Sequence, residues 1–247
     1  MVYYKSPQEI EKIKAAGAIV SSTLKMLFEN LKPGMTTKKL DELAEEYIRS
    51  HDAAPSFKGY NGFPGSICVS IDDEVVHGIP GSRVFKEGQI VGIDVGVLKS
   101  GYHGDSAWTY PIGDIDDETE KLMKVGQECL KLGIAQAKAG NRLGDIGHAI
   151  QSYAEGQGFS VVRDLVGHGI GKKLHEEPQV PHYGKANTGL ELKPGLVIAI
   201  EPMINAGVFR VRMLDDNWTI VTFDGKRSVH FEHTIAVTEN GPMILTK

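Results

Sequence analysis

Residues 90–105 read IVGIDVGVLKSGYHGD, and two acids punctuate the stretch. Asp94 stands inside an apolar run from Ile90 to Val97. Asp105 follows Gly101-Tyr102-His103-Gly104 and opens Ser106-Ala107-Trp108-Thr109-Tyr110. Short runs rich in Val, Ile and aromatics, parted by glycine-bearing residues, predict two antiparallel strands with a turn over 101–104. A carboxylate in the middle of a buried strand is costly unless it is paired or bound to a cation. A lone Asp bonded to a neighbouring turn is the plainer alternative, so the next question is whether the chain supplies further acids.

It does, because the pattern returns. Lys86 to Asp94 lies 107 residues before Lys193 to Glu201, and Glu201 fills the Asp94 slot. Lys32-Pro33-Gly34, with the helical spacing of Leu40, Leu43 and Tyr47, lies 106 residues before Ala139-Gly140 with Ile146, Ala149 and Tyr153. The strand opened by Asp105 is similar to the one opened by Glu232 at an offset of 127, which leaves an insertion of about 20 residues near 205–226. Ser6-Pro7-Gln8-Glu9 is a capping box with proline at the first helical position, and Pro33-Gly34 stops the helix it starts. Further helices are expected from Thr37, from Asp116 to about Lys138, and over 143–157. Two helices followed by an acid-bearing hairpin, repeated once, predict an α+β fold of two pseudo-twofold halves, each packing helices on an antiparallel sheet. The expectation is a single domain over 1–247 with halves of about 1–114 and 115–247, and with Asp94, Asp105, Glu201 and Glu232 meeting near the axis.

Composition narrows the function classes. The 247 residues are 41% apolar and 24% charged, ordinary for a globular chain. A net charge of -5 with interspersed signs gives no nucleic-acid footprint. Two cysteines, Cys68 and Cys129, are too few for a disulfide framework and suit a reducing compartment. The N-terminal stretch lacks an apolar signal core, and no apolar run approaches the roughly 20 residues of a membrane span. A soluble cytoplasmic protein is the expectation.

Four carboxylates in one buried site cannot all ionise unaided, because like charges raise each other's pKa. Two divalent cations would balance them. His168, in Val166-Gly167-His168-Gly169-Ile170-Gly171, offers an imidazole where glycines allow close approach to an ion or ligand. Four acids and one histidine fit a carboxylate-bridged two-metal site, and oxygen-rich ligands favour manganese, iron or cobalt over a structural zinc. His175-Glu176-Glu177-Pro178-Gln179 starts like a zincin helix but has Gln where the second His belongs and a helix-opposing Pro. Residues 167–172 are one residue short of a phosphate-binding loop. Among the other histidines, His51, His148 and His182 read as solvated. Strand parity puts His103 on the face of Asp105 and His230 on the face of Glu232, with His233 pointing away. His77 ends a strand before Gly78-Ile79-Pro80.

The chain resembles the type I methionine aminopeptidases, metallopeptidases of the pita-bread fold. The resemblance rests on VHGIP at His77, GIDVGV at Asp94, GYHGDSAWT at Asp105, GHGIG at His168, LHEEPQV at His175, AIEPM at Glu201 and FEHTIAV at Glu232. It implies that Asp94, Asp105, His168, Glu201 and Glu232 hold two divalent ions (cobalt, manganese, iron or zinc). Asp105 and Glu232 would bridge, Asp94 would hold one ion, and His168 with Glu201 the other. It further implies that His77 and His175 contact substrate, and that Tyr60, Phe63, Cys68, Leu174 and Trp218 form the methionine pocket. Phe63 and Leu174 depart from the Tyr and Phe of some relatives.

The activity implied is removal of the N-terminal methionine from nascent proteins and peptides with a small second residue. Metal-activated hydroxide would attack the first peptide carbonyl, His175 would stabilise the oxyanion, and Glu201 would shuttle the proton. Nascent polypeptide N-termini are then the partners. A monomer is expected, and a ribosome contact is left open. A prolidase-like activity is the same-class alternative, because it shares the fold and the five ligands. A non-catalytic peptide-binding module of the same fold would be expected to lose ligands.

Overall fold

The computed structural model describes residues 1–247. Helix α1 (Pro7–Asn30) starts on the expected capping box: the Ser6 hydroxyl accepts from the Glu9 N–H, and the Glu9 carboxylate accepts from the Ser6 N–H. Helices α2 (Thr37–Ser50), α3 (Asp117–Gln136) and α4 (Leu143–Gly156) follow. The 106-residue offset read from the sequence separates the starts of α2 and α4.

Strands Ile90–Lys99 and Tyr102–Pro111 pair along their whole length, from Ile90 opposite Pro111 to Lys99 opposite Tyr102. The turn is Ser100-Gly101 rather than 101–104. Both residues take positive φ, 51° and 79°, as a two-residue hairpin turn of matching twist requires. Tyr102, His103 and Gly104 therefore belong to the strand. Gly104 serves a different purpose: a Cβ there would lie 2.8 Å from the backbone nitrogen of Gly17 in α1. Glycine at this position lets the helix cross directly over the strand.

Alternation then sorts the two faces. Val91, Ile93, Val95 and Val97 join Leu24, Leu27, Leu40 and Ile48 in a core of 16 buried residues under α1 and α2. Asp94, one residue out of phase, faces away from the helices. In the second half, Ile198, Ile200, Ile235 and Val237 join α3 and α4 in a core of 24. Full burial of one such side chain contributes roughly 1.5–3 kcal/mol. A flip of either sheet would expose several at once, so the apolar sets fix which way the acids point.

The first sheet sets Ala54–Pro55 and Cys68–Ile71 along Ile90–Lys99, with Tyr102–Pro111 on its other side. The second runs in the order Gly241–Ile244, His233–Thr238, Val197–Ile200, Gly167–Gly169, Glu176–Val180. The hairpins meet along a seam. The Asp105 N–H donates to Thr234 Oγ1 at 3.1 Å, and that hydroxyl donates to the Asp105 carbonyl at 2.8 Å. The Glu232 N–H donates to the Ala107 carbonyl at 2.8 Å. At the 127-residue offset Asp105 matches Glu232 and Ala107 matches Thr234. The contacts 105–234 and 107–232 are therefore twofold mates, as isologous packing demands. The insertion forms a hairpin, Val211–Met213 with Ile220–Thr222, that pairs with Glu74–Val76. No helix is long and apolar enough to cross a membrane.

Candidate metal centre and cleft

The seam brings the four acids together. Asp94 lies opposite Ala107, two residues along the strand from Asp105, so both carboxylates share one face. Glu201 follows Val197–Ile200 and Glu232 precedes His233–Thr238, just beyond the pair formed by Ile200 and His233. Asp105 and Glu232 are 4% and 2% exposed. His168, on Gly167–Gly169, completes the group: Asp105, His168 and Glu232 each offer a ligand atom, all within 4.8 Å of one another. The glycines beside His168 are not spent on a ligand. A Cβ on Gly167 would lie 2.4 Å from the Ala199 carbonyl, and one on Gly169 would lie 2.3 Å from the Glu177 carbonyl. They admit neighbouring backbone.

The donor set fits divalent cations. Nδ1 of His168 lies 2.9 Å from the Gly169 carbonyl, which only accepts, so Nδ1 carries the proton. Nε2 is then a lone pair, and it faces Glu201 Oε1 at 3.5 Å and Asp105 Oδ2 at 3.9 Å. Burial lowers the His168 pKa to about 3, so these are contacts of a neutral ring rather than salt bridges. Asp94 Oδ1, Asp105 Oδ1 and Glu232 Oε1 are buried without hydrogen-bond partners. Burial, with the charges of its neighbours, raises Asp105 and Glu232 well above the carboxylate range. Burial raises Asp94 to about 7 and Glu201 to about 8. Four carboxyls and a neutral imidazole converge with no cationic side chain among them, so their ionisation together calls for bound positive charge. A carbonyl fixing the far nitrogen of the imidazole is the usual support of a metal-bound histidine.

These five residues line a cleft of about 1120 Å³. The expected pocket residues Tyr60, Phe63, Cys68, Leu174 and Trp218 all line it. Phe63, Cys68 and Leu174 are buried in one apolar cluster against which Tyr60 and Trp218 pack, and the rings of Phe63 and Trp218 meet edge to face at 5.1 Å. His77 and His175 also line the cleft. His77 sits at φ 59°, a conformation rare for a non-glycine residue. His175 stacks edge to face on His168 at 4.3 Å.

Other assignments need correction or refinement. Tyr60 is more than a wall, because its hydroxyl lies 2.7 Å from His175 Nδ1. His182 is not solvated. It is fully buried, and its Nε2 accepts the Glu201 backbone N–H at 3.1 Å. The polar residues near it in sequence gave no sign of this, since the contact joins a loop to a strand end. His230 is buried with Nε2 3.7 Å from Glu201 Oε2, on the side parity required. His103 is engaged elsewhere: its Nδ1 meets Ser56 Oγ at 2.8 Å. His233 turns away to Thr246 Oγ1 at 2.9 Å. His51 and His148 are exposed, as expected.

Four carboxylates and an imidazole at the seam of two matched halves, on one side of an open cleft, define a metallopeptidase of the pita-bread fold. Residues 11–239 match Metallopeptidase family M24. Over 247 residues and the full length of both chains, the sequence is 58% identical to "Methionine aminopeptidase 1" of Bacillus subtilis. The crystal structure of methionine aminopeptidase from Thermotoga maritima superposes with a TM-score of 0.98 at 47% identity, covering both chains completely. The Xaa-Pro dipeptidase from Bacillus anthracis shares the fold, with a TM-score of 0.80 at 23% identity over 99% of this chain and 62% of its own. The chain belongs to the methionine aminopeptidases of family M24.

Proposed function

We propose that this enzyme removes methionine from the free N-termini of nascent proteins and peptides whose second residue is small. The observation that carries the reading is the juxtaposition, within one cleft, of five convergent side chains able to ligate metal and an apolar wall of Tyr60, Phe63, Cys68, Leu174 and Trp218. In this reading Asp94 would hold one divalent ion, His168 and Glu201 would hold a second, and Asp105 and Glu232 would serve both, the metal being cobalt, manganese, iron or zinc. When bound, the ions supply Lewis acidity and bring hydroxide within reach of neutral pH.

The chain's own groups do the rest. Tyr60, Phe63, Cys68, Leu174 and Trp218 take the methionine side chain. An unbranched thioether adapts to such walls and gains about 0.3–1.5 kcal/mol per sulfur–aromatic contact. With Tyr60 as the donor to His175 Nδ1, the ring proton would sit on Nε2, to be donated to the carbonyl oxygen as charge develops there. His77, which also lines the cleft, contacts the peptide. Glu201 takes the proton of the attacking water and returns it to the departing amine nitrogen. Burial raises its carboxyl to about 8 in the metal-free chain, and bound cations would lower it to the carboxylate that can accept the proton. Two buried free thiols support a cytoplasmic setting.

The test is a peptide panel with metal-loaded protein. Met-Ala-Ser should be cut, Met-Lys-Ser left largely intact and N-acetylated peptides ignored. Faster cleavage of Ala-Pro-Gly than of Met-Ala-Ser would replace the methionine reading with a prolidase-like one. Asp105→Asn and Glu232→Gln should each lose metal by elemental analysis and lose turnover while keeping a cooperative melt. Full activity after metal restoration would contradict the bridging role.

A further inference from the structure

Lys5 belongs to no catalytic motif, yet it is one of the most deeply placed cations in the molecule. Its side chain is 5% exposed, and its Nζ lies 2.7 Å from Glu176 Oε2, whose side chain is 9% exposed. A lysine is almost never buried unless paired. This pair joins residues 171 apart in sequence, and Glu176 is the residue after His175.

The surroundings show what the pair holds. Glu176 Oε1 accepts the Lys173 N–H at 3.1 Å, so one carboxylate closes the turn that carries Leu174 and His175. Gly171, at the start of that turn, lies against both partners: a Cβ there would come 2.7 Å from Lys5 Cε and 2.8 Å from Glu176 Oε1. Lys5 is itself fixed. Its backbone N–H donates to the Gly195 carbonyl at 2.7 Å, and its Nζ also donates to the Tyr3 carbonyl at 3.2 Å. Tyr60 holds the His175 ring through Nδ1. Both Lys5 and Glu176 line the cleft. The His175 turn is thus held by two contacts, one from Lys5 in the segment before α1 through Glu176 and one from Tyr60 to the His175 ring.

We propose that Lys5 is a positioning residue: through Glu176 it holds the 171–176 turn that aims His175 at the substrate carbonyl. The proposal rests on the reading of His175 as the donor to that oxygen. A purely structural pair would predict only lost stability, because removing one partner leaves the other charge buried and uncompensated. A positioning pair predicts a kinetic signature, since displacement of a group by about 1 Å can cost up to about 10²-fold in rate.

The experiment compares wild type, Lys5→Met, Lys5→Arg, His175→Ala and the Lys5→Met/His175→Ala double variant, each metal-loaded and assayed on Met-Ala-Ser. Lys5→Met should lower kcat by roughly 10- to 100-fold with little change in KM, and Lys5→Arg, which keeps the charge, should restore most of it. In the His175→Ala background Lys5→Met should add nothing, because two residues acting through one group are not additive. In the metal-free protein, the His175 ring signals in nitrogen-15 NMR should move in Lys5→Met and not in Lys5→Arg, while those of His51 and His148 stay put. If Lys5→Met fails to melt cooperatively, Glu176→Gln should show the same kcat loss. Wild-type kcat in a folded Lys5→Met or Glu176→Gln variant overturns the proposal. So does an equal kcat loss with and without His175. Wild-type kcat in His175→Ala overturns the reading of His175 first, and the proposal with it.

Discussion

The hydroxyl of Tyr60 lies 2.7 Å from His175 Nδ1, so one residue both lines the cleft and holds the ring proposed to be catalytic. The two roles separate in Tyr60→Phe. The wall survives, while a hydrogen bond worth about 1 kcal/mol is lost, which is roughly fivefold in kcat. Steady-state kinetics on Met-Ala-Ser should show that loss with a nearly unchanged KM; a raised KM at constant kcat would return Tyr60 to the wall alone. His182 carries the next prediction at this scale. His182→Leu leaves the Glu201 N–H buried without an acceptor and should destabilise the protein by about 1–3 kcal/mol, read from the urea midpoint. His182→Gln, which keeps an acceptor, should recover part of it, and a Leu variant as stable as wild type would mean the bond contributes nothing. Neither residue's role was legible in the sequence. Local parity places a side chain relative to its own strand, which is why His230 and His233 were sorted correctly. It says nothing of contacts made across 115 residues, as between Tyr60 and His175.

At the scale of elements, the sequence yielded most where one short-range rule decides the outcome. The apolar run from Ile90 to Val97 predicted a strand holding Asp94; the structure adds the alternation, with Val91, Ile93, Val95 and Val97 in the core and Asp94 out of phase. The capping box at Ser6 was equally plain. The glycines of the hairpin were harder, because a glycine reads the same whether it turns the chain or admits a neighbour. Gly101 turns it and Gly104 admits α1, which moved the turn from 101–104 to Ser100-Gly101. Gly17, on the helix side of that crossing, shows which effect dominates there. Alanine at an interior helix position gains about 1 kcal/mol of propensity over glycine. A Cβ on Gly17, however, would lie 2.2 Å from the Leu245 carbonyl oxygen, and overpacking against backbone typically costs about 1–3 kcal/mol. Gly17→Ala should therefore lower the urea midpoint despite its better helix former. A midpoint above wild type would show that the C-terminal segment yields freely.

For the whole molecule, the two matched offsets in the sequence predicted paired halves but not how they join, since the joining bonds run between them. Asp105 with Thr234 and Ala107 with Glu232 place the proposed ligands on the joint itself. We propose that 1–114 and 115–247 form one cooperative unit; expressed apart, neither should give a cooperative melt, and a stable separate half would argue for two domains. Metal binding then becomes a property of the whole fold, with a pH signature in the metal-free protein. Asp94 and Glu201 rise from 3.8 and 4.5 to about 7 and about 8 when buried, and Asp105 and Glu232 are raised well above their ordinary values. The folded state therefore holds protons that the unfolded chain has released, so their contribution to stability falls as pH climbs from about 4 to about 8. The buried histidines oppose this at lower pH. His168 and His182 are lowered from 6.5 to about 3, so their contribution grows as pH rises and is complete above 6.5. Between about 6.5 and 8 only the carboxylates are changing. Calorimetry in chelator should find a melting temperature that falls across that window, and saturating divalent metal, which favours the ionised carboxylates, should flatten the slope. A metal-free melting temperature that rises from pH 6.5 to 8 would mean that these carboxyls ionise in the folded state without a cation, and the case for a metal-demanding cluster would fail with it.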